Sequence, residues 1–173
     1  MNQATESRQV VFERVLDAEG PSLRRLASAY EADPAGREDL VQEICLAIWT
    51  ALPRFRGDSS LRTFVFRIAH NQAIKHIARA ASCRGEDLTA AAELIDRAPD
   101  PEANAARTER AGRLHQAIRA LAPVHREVLS LLLEGLSARE IGQVLGTTEN
   151  SVAIRLTRAR GALRALLVTG VTT

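Results

Sequence analysis

Four side chains able to bind nucleic acid recur at every fourth position: Arg67, Asn71, Lys75 and Arg79. On a helix that spacing makes one polar stripe. Asn can pair bidentately with a base edge, and the cations suit phosphates. From Arg54 to Arg79 there are six Lys/Arg and one acid, Asp58, with Phe55, Phe64 and Phe66 among them. Basic charge mixed with aromatic rings is what single-stranded DNA binding needs, because flat side chains replace lost base stacking. The loop FRGDSS supplies Gly57 for a tight turn, and Asp58, Ser59 or Ser60 to cap the next helix. Such a loop is able to hold a flipped-out base. The alternative is that the phenylalanines are core and the arginines solvated; one of Phe64 and Phe66 is expected in the core.

A second constellation lies near the C-terminus. LSAREIGQVLGTTENSVAIRLTRARGAL reads as helix, tight turn, helix. Ser137 and Glu140 form a capping box, Gly146 ends the first helix in the left-handed conformation, and Thr147 or Thr148 caps the second. Val152, Leu156, Ala159, Leu163 and Leu166 face the core at helical spacing. Asn150, Ala153, Ile154, Thr157 and Gly161 point away, with Arg155, Arg158, Arg160 and Arg164 along the sides. Small or polar outer residues flanked by arginine suit the major groove. The third constellation is the helix GREDLVQEICLAIWTAL. Asp39, Gln42, Glu43, Leu46 and Trp49 share one side, apart from the core stripe of Leu40, Val41, Ile44, Ala47, Ile48 and Ala51. A large aromatic, a leucine and several acids fit a basic partner helix; equally, Trp49 is able to plug the bundle core.

These residues need helices to position them. The 173 residues are 46% hydrophobic and rich in Ala, Leu, Arg and Glu, which favours an all-α fold. Helices are expected at about 7–18, 21–31, 37–52, 60–80, 103–121, 124–134, 138–145 and 149–167, with a break at Pro123. The intervening SCRGEDLTAAAELIDRAPDPEA is acidic, contains two prolines and reads as a flexible linker. The expectation is two small helical domains, 1–80 and 107–173, joined by linker 81–106. The net charge of +2 hides a net of −4 over 81–106 and +5 over 107–173, so a polyanion partner is expected for some segments only.

No run of about 18 apolar residues is present, and the charged N-terminus lacks a signal-peptide core, so a cytoplasmic protein without membrane insertion is expected. Cys45 and Cys83, 38 residues apart, form no metal-binding pattern. No paired carboxylates in a plausible pocket, nucleophile motif or phosphate loop points to an enzyme. Neither a cofactor nor a metal is expected.

The strings DLVQEICLAIWTAL, FRGDSSLRTFVFRIAHN and LSAREIGQVLGTTENSVAIRLTRARGAL, in that order and spacing, resemble the extracytoplasmic-function (ECF) sigma factors of the sigma-70 family. The resemblance covers about 20–80 and 107–167. It implies a non-catalytic factor that binds core RNA polymerase and directs promoter-specific initiation, under an anti-sigma factor. It implies that Asp39, Gln42, Glu43, Leu46 and Trp49 dock on the clamp of the polymerase's largest subunit. Minus-ten recognition and melting fall to Phe55, Arg56, Gly57, Asp58, Ser59, Ser60, Arg62, Thr63, Phe64, Arg67, Asn71 and Lys75. Minus-thirty-five duplex falls to Thr148, Glu149, Asn150, Ser151, Ala153, Ile154, Arg155, Thr157 and Arg158. The linker matches the segment that threads the polymerase channel leading RNA out. Two departures stand out: just after Val152, where many members carry a basic residue, this chain has Ala153 and then Ile154, implying apolar contacts to thymine methyls, and Phe64 replaces a common tryptophan. Two rivals remain: a duplex-binding regulator that never joins polymerase, and a sigma mimic that only sequesters an anti-sigma factor.

Overall fold

Apolar residues at three- and four-residue spacing give each helix one stripe to bury, and the computed structural model packs those stripes into one core. It describes residues 2–84 and 102–169, with side chains described over 8–82 and 111–168. Most of the expected linker therefore lies outside the described residues, as does the side chain of Cys83. The elements are α1 (Asn2–Ser28), α2 (Pro34–Ala51), a single 3-10 turn (Leu52–Arg54), α3 (Leu61–Arg84), α4 (Glu102–Arg119), α5 (Pro123–Leu133), α6 (Ala138–Leu145) and α7 (Glu149–Thr169). Among the described residues there is no strand.

The two helices expected before residue 31 are one. Pro21 lies inside α1. Proline removes a backbone donor and crowds the preceding turn, but Val15 on one side and Leu23, Leu26 and Ala27 on the other are all buried in the same core. That shared burial offsets the lost hydrogen bond. Pro34 suits its place because it opens α2, where its missing N–H has no partner to lose. Asp33 caps that helix, accepting from Gly36 N at 2.7 Å. Glu31 then ties the turn to α3: one carboxylate oxygen accepts from Asp33 N at 2.9 Å and the other meets His76 Nε2 at 2.7 Å. Ser60 caps α3, accepting from Thr63 N at 3.0 Å.

Val65, Phe66, Ala69 and Ala73 bury one side of α3 against Leu40, Ile44 and Ile48 of α2. Ile118, Val128, Leu131, Leu136, Ile141 and Val152 continue the same cluster through the C-terminal helices. Polar contacts fasten the two groups. Glu134, at the end of α5, accepts from Arg25 Nε and Nη2 of α1 at 3.1 and 2.7 Å. Arg62 of α3 donates to the Glu134 carbonyl and to the Glu19 carboxylate. Arg119 donates to Ser28 O at 2.7 Å.

The α6–α7 unit follows its sequence signals closely. Ser137 accepts from Glu140 N at 3.3 Å while Glu140 Oε2 accepts from Ser137 N at 2.8 Å, closing the capping box. Those bonds hold the Glu140 carboxyl below its ordinary pKa. Gly146 adopts φ 65°, and Thr148, rather than Thr147, caps α7 by accepting from Ser151 N at 3.2 Å. Gly142 has a role its sequence context does not announce. The backbone after the turn folds back so that a Cβ there would lie 2.8 Å from Thr147 O. Gly142→Ala should therefore destabilise the chain by about 1–3 kcal/mol in denaturant titration, whereas Gly112→Ala, with nothing near its Cβ, should be neutral or gain up to about 1 kcal/mol. Equal effects would refute the close-approach argument.

His70 generates a pH prediction. It is 7% exposed, its Nδ1 lies 3.4 Å from Tyr30 Oη, and burial lowers its pKa to about 4. The unfolded chain, with an ordinary histidine near pKa ~6.5, then binds the extra proton first. Stability should fall as pH drops from about 6.5 through 4, by on the order of 2 kcal/mol at pH 5. His70→Gln should flatten that limb in denaturation curves; an unchanged limb would assign it to other groups.

Candidate nucleic-acid interface and docking face

Burying Val65, Phe66, Ala69 and Ala73 turns the opposite side of α3 outward, and Arg67, Asn71, Lys75 and Arg79 are all exposed there. Of the two phenylalanines, Phe66 is the core residue and Phe64 is half-buried. Phe64 packs against Phe55 with ring centroids 5.0 Å apart, at the base of the connecting loop. In that loop Gly57 takes φ 82°, and Arg56, Gly57, Asp58 and Ser60 are exposed while Ser59 is half-buried. The loop thus presents a polar rim over an aromatic floor.

Two nearby residues are engaged inside the fold. Thr63 is buried and bonded to Ser60 through Oγ1 at 2.8 Å. Arg62 is half-buried, bridging Glu19 and the Glu134 carbonyl with its guanidinium 5.3 Å from the Phe66 ring centre.

A groove of about 740 Å³ runs between α2 and α3. Leu46, Glu43 and Thr50 line its α2 wall, and Asn71, Lys75 and Arg79 its α3 wall. Arg54 sits in the same lining. Its place in the groove is set by the 3-10 turn after α2, which a helical pattern does not reveal. Glu43 and Arg79 form an ion pair across the groove.

On α2, Asp39, Gln42 and Leu46 are exposed, Leu46 by 66%, and Glu43 and Trp49 are half-buried. Trp49 is not a core plug. Its ring lies edge-on to Phe12, centroids 5.2 Å apart, and Arg8 sits over it at 3.9 Å. The tryptophan thus closes one edge of the stripe against α1, and Glu43 closes the other against α3.

On α7, Val152, Leu156 and Ala159 are buried. Thr148, Glu149, Asn150, Ala153, Ile154, Thr157 and Arg158 are exposed, with Ser151 and Arg155 half-buried. Ile154 is 47% exposed. Arg155 faces Glu127, whose carboxyl is raised above its ordinary pKa by burial and lowered in part by that cation. The expected core stripe does not reach the end of the helix: Leu163 is half-buried and Leu166 is 37% exposed.

The arrangement offers polar and cationic groups, paired aromatic rings and an exposed leucine. Among the described residues, no group of three or more His, Cys, Asp or Glu could hold a metal ion, and no helix is long and apolar enough to cross a membrane.

Comparison with known proteins agrees with both helical groups. Residues 15–83 match the model for sigma-70 region 2 and residues 111–163 that for sigma-70 region 4. The chain is 36% identical over 140 residues to the RNA polymerase sigma-H factor of Pseudomonas aeruginosa, covering 76% of this chain and 72% of that protein. It is 35% identical over 135 residues to the ECF RNA polymerase sigma factor ShbA of Streptomyces griseus subsp. griseus, covering 75% and 70%. It is 29% identical over 170 residues to the RNA polymerase sigma factor NccH of Alcaligenes xylosoxydans xylosoxydans, covering 95% and 91%. Among solved structures, CnrH in complex with the cytosolic domain of CnrY superposes with a TM-score of 0.71 at 26% identity, covering 96% of this chain and 94% of that one. With both regions matched in order, with relatives above 30% identity and with the helical framework shared, the chain belongs to the ECF RNA polymerase sigma factors of the sigma-70 family.

Proposed function

We propose that this sigma factor divides its work between residues 1–80, which dock on polymerase and capture the melted minus-ten strand, and residues 107–173, which read the minus-thirty-five duplex. The observation that carries the strand-capture reading is the exposed row Arg67, Asn71, Lys75 and Arg79, running from the Phe55–Phe64 floor of the loop. Phosphates follow the cations, Asn71 reads a base edge, and Arg56 to Ser60 rim the pocket for a flipped base. Thr63 shapes that loop through Ser60. Arg62 reaches DNA only after leaving Glu19 and Glu134.

The chemistry is binding alone. Melting costs roughly 1.4 kcal/mol per base-pair step, and stacked bases return roughly 1–3 kcal/mol each. Capture therefore offsets melting only when several contacts form together, which polymerase makes possible by holding both partners. Leu46, flanked by Asp39, Gln42 and Glu43 and edged by Trp49, suits a basic helix of the polymerase clamp.

Exposed Ala153 and Ile154 at the tip of α7 suit thymine methyls, with Arg158 on a phosphate. Asn150 and Thr157 supply polar contacts beside them, and Thr148, Glu149, Ser151 and Arg155 border that face.

The solved structure of CnrH is a complex with the cytosolic domain of CnrY. By analogy, an anti-sigma factor covers one or both working faces of this chain. The place of action is the cytoplasm, where core polymerase and promoter DNA meet.

Replacing Phe55 and Asn71 together with Ala should lower open-complex formation by about tenfold or more while leaving core binding intact, as read by permanganate footprinting beside a core-affinity titration. Equal loss of both would refute strand capture. Arg158→Ala should weaken upstream duplex binding by holoenzyme and reduce the salt slope by about 0.9, with core association unchanged. An unchanged slope would remove Arg158 from the phosphate contacts.

A further inference from the structure

The α2–α3 groove holds a single carboxylate that faces two ways. Glu43 belongs to the same stripe as Asp39, Gln42 and Leu46, the surface offered to a basic partner helix. Yet its Oε2 is bonded to Nη2 of Arg79, the last member of the polar row on α3. The other cations of that row differ. Among the described residues, Arg67 and Lys75 form no ion pair, whereas Arg79 is neutralised by Glu43. The free protein therefore presents a strand-facing row with one of its charges cancelled.

The pair is built for exchange rather than for permanence. The side chains are 59% and 35% exposed for Arg79 and Glu43, so solvent and incoming partners reach both. Ion pairs this exposed are weak, and a carboxylate accepts as readily from an incoming Lys or Arg as from a resident one. A basic helix settling over Leu46 brings its cations to Glu43, which lines the groove beside it. Arg79, on the groove side, remains within reach of a phosphate backbone passing Asn71 and Lys75, because all three line the same groove.

We propose that Glu43 holds Arg79 in reserve: a basic partner helix docking on α2 takes over the Glu43 carboxylate, and the released Arg79 guanidinium binds a phosphate of the melted strand. This rests on the docking and strand-capture readings above and adds a link between them. Polymerase binding then strengthens the strand-facing row by one full cation. Free sigma factor keeps that cation masked and engages single strands less well.

The exchange is tested without polymerase by mimicking its result. Glu43→Gln removes the competing charge, so the full-length variant should bind a fluorescein-labelled single-stranded oligo-dT roughly threefold more tightly than the wild type at low salt. Its salt slope should be steeper by about 0.7, the increment for one added phosphate contact on a single strand. Arg79→Gln alone should change little, and Glu43→Gln in the Arg79→Gln background should give no gain. Lys75→Gln, measured in parallel, should weaken binding and reports on the strand-facing row itself. A gain that persists without Arg79 would mean a general field effect and overturn the exchange. Loss in Lys75→Gln with no gain in Glu43→Gln would overturn the exchange alone. No change in either variant would overturn the strand-facing reading and the exchange with it.

Discussion

The Glu134 carboxylate is the constraint on which the arrangement of the two helical groups depends. Its side chain is only 4% exposed, and a charge in that position must be paired and hydrogen-bonded to be tolerated. Arg25 supplies two donors from α1, and Arg62 of α3 takes the carbonyl of the same residue. Glu134 is followed by Gly135 at φ 81°, which turns the chain into α6. Helices α1, α3, α5 and α6 are thus registered at one residue. Removing Arg25 would leave the buried carboxylate without its cation, which makes this ion pair costly to break.

That contact also sorts the working surfaces by availability. The outer side of α7 and the row on α3 remain open, while Arg62, at the root of the strand-capture segment, is spent on the contact between groups. On the proposed assignment, this arrangement leaves the duplex-facing side of α7 exposed and holds the Arg62 guanidinium away from the strand-facing row.

Much of this was legible in the sequence wherever the signal was local. The capping box of Ser137 and Glu140, the left-handed Gly146 and the outward row from Arg67 to Arg79 all depend on residues within a few turns of one another. The sequence suggests separate helices at 7–18 and 21–31, because it does not show that burial on both sides of Pro21 carries one helix through. It could not choose between Phe64 and Phe66, since both fit an apolar position until α2 fixes the rotation of α3. Its periodicity extends the core stripe of α7 to Leu166, which the structure leaves 37% exposed. The Arg25–Glu134 pair left no trace at all: its partners are 109 positions apart, and nothing in their surroundings distinguishes them from solvated charges.

Trp49 has a use beyond its place at the edge of the docking stripe. It is the chain's single tryptophan, and Arg8 and Phe12 of α1 pack directly on its ring. Its intrinsic fluorescence is therefore a native optical probe with one site of origin. Emission wavelength and quenching by small solutes report whether the first turns of α1 stay seated on α2. A partner docking over Leu46 as proposed would approach the same ring, and its arrival would be readable in unlabelled protein.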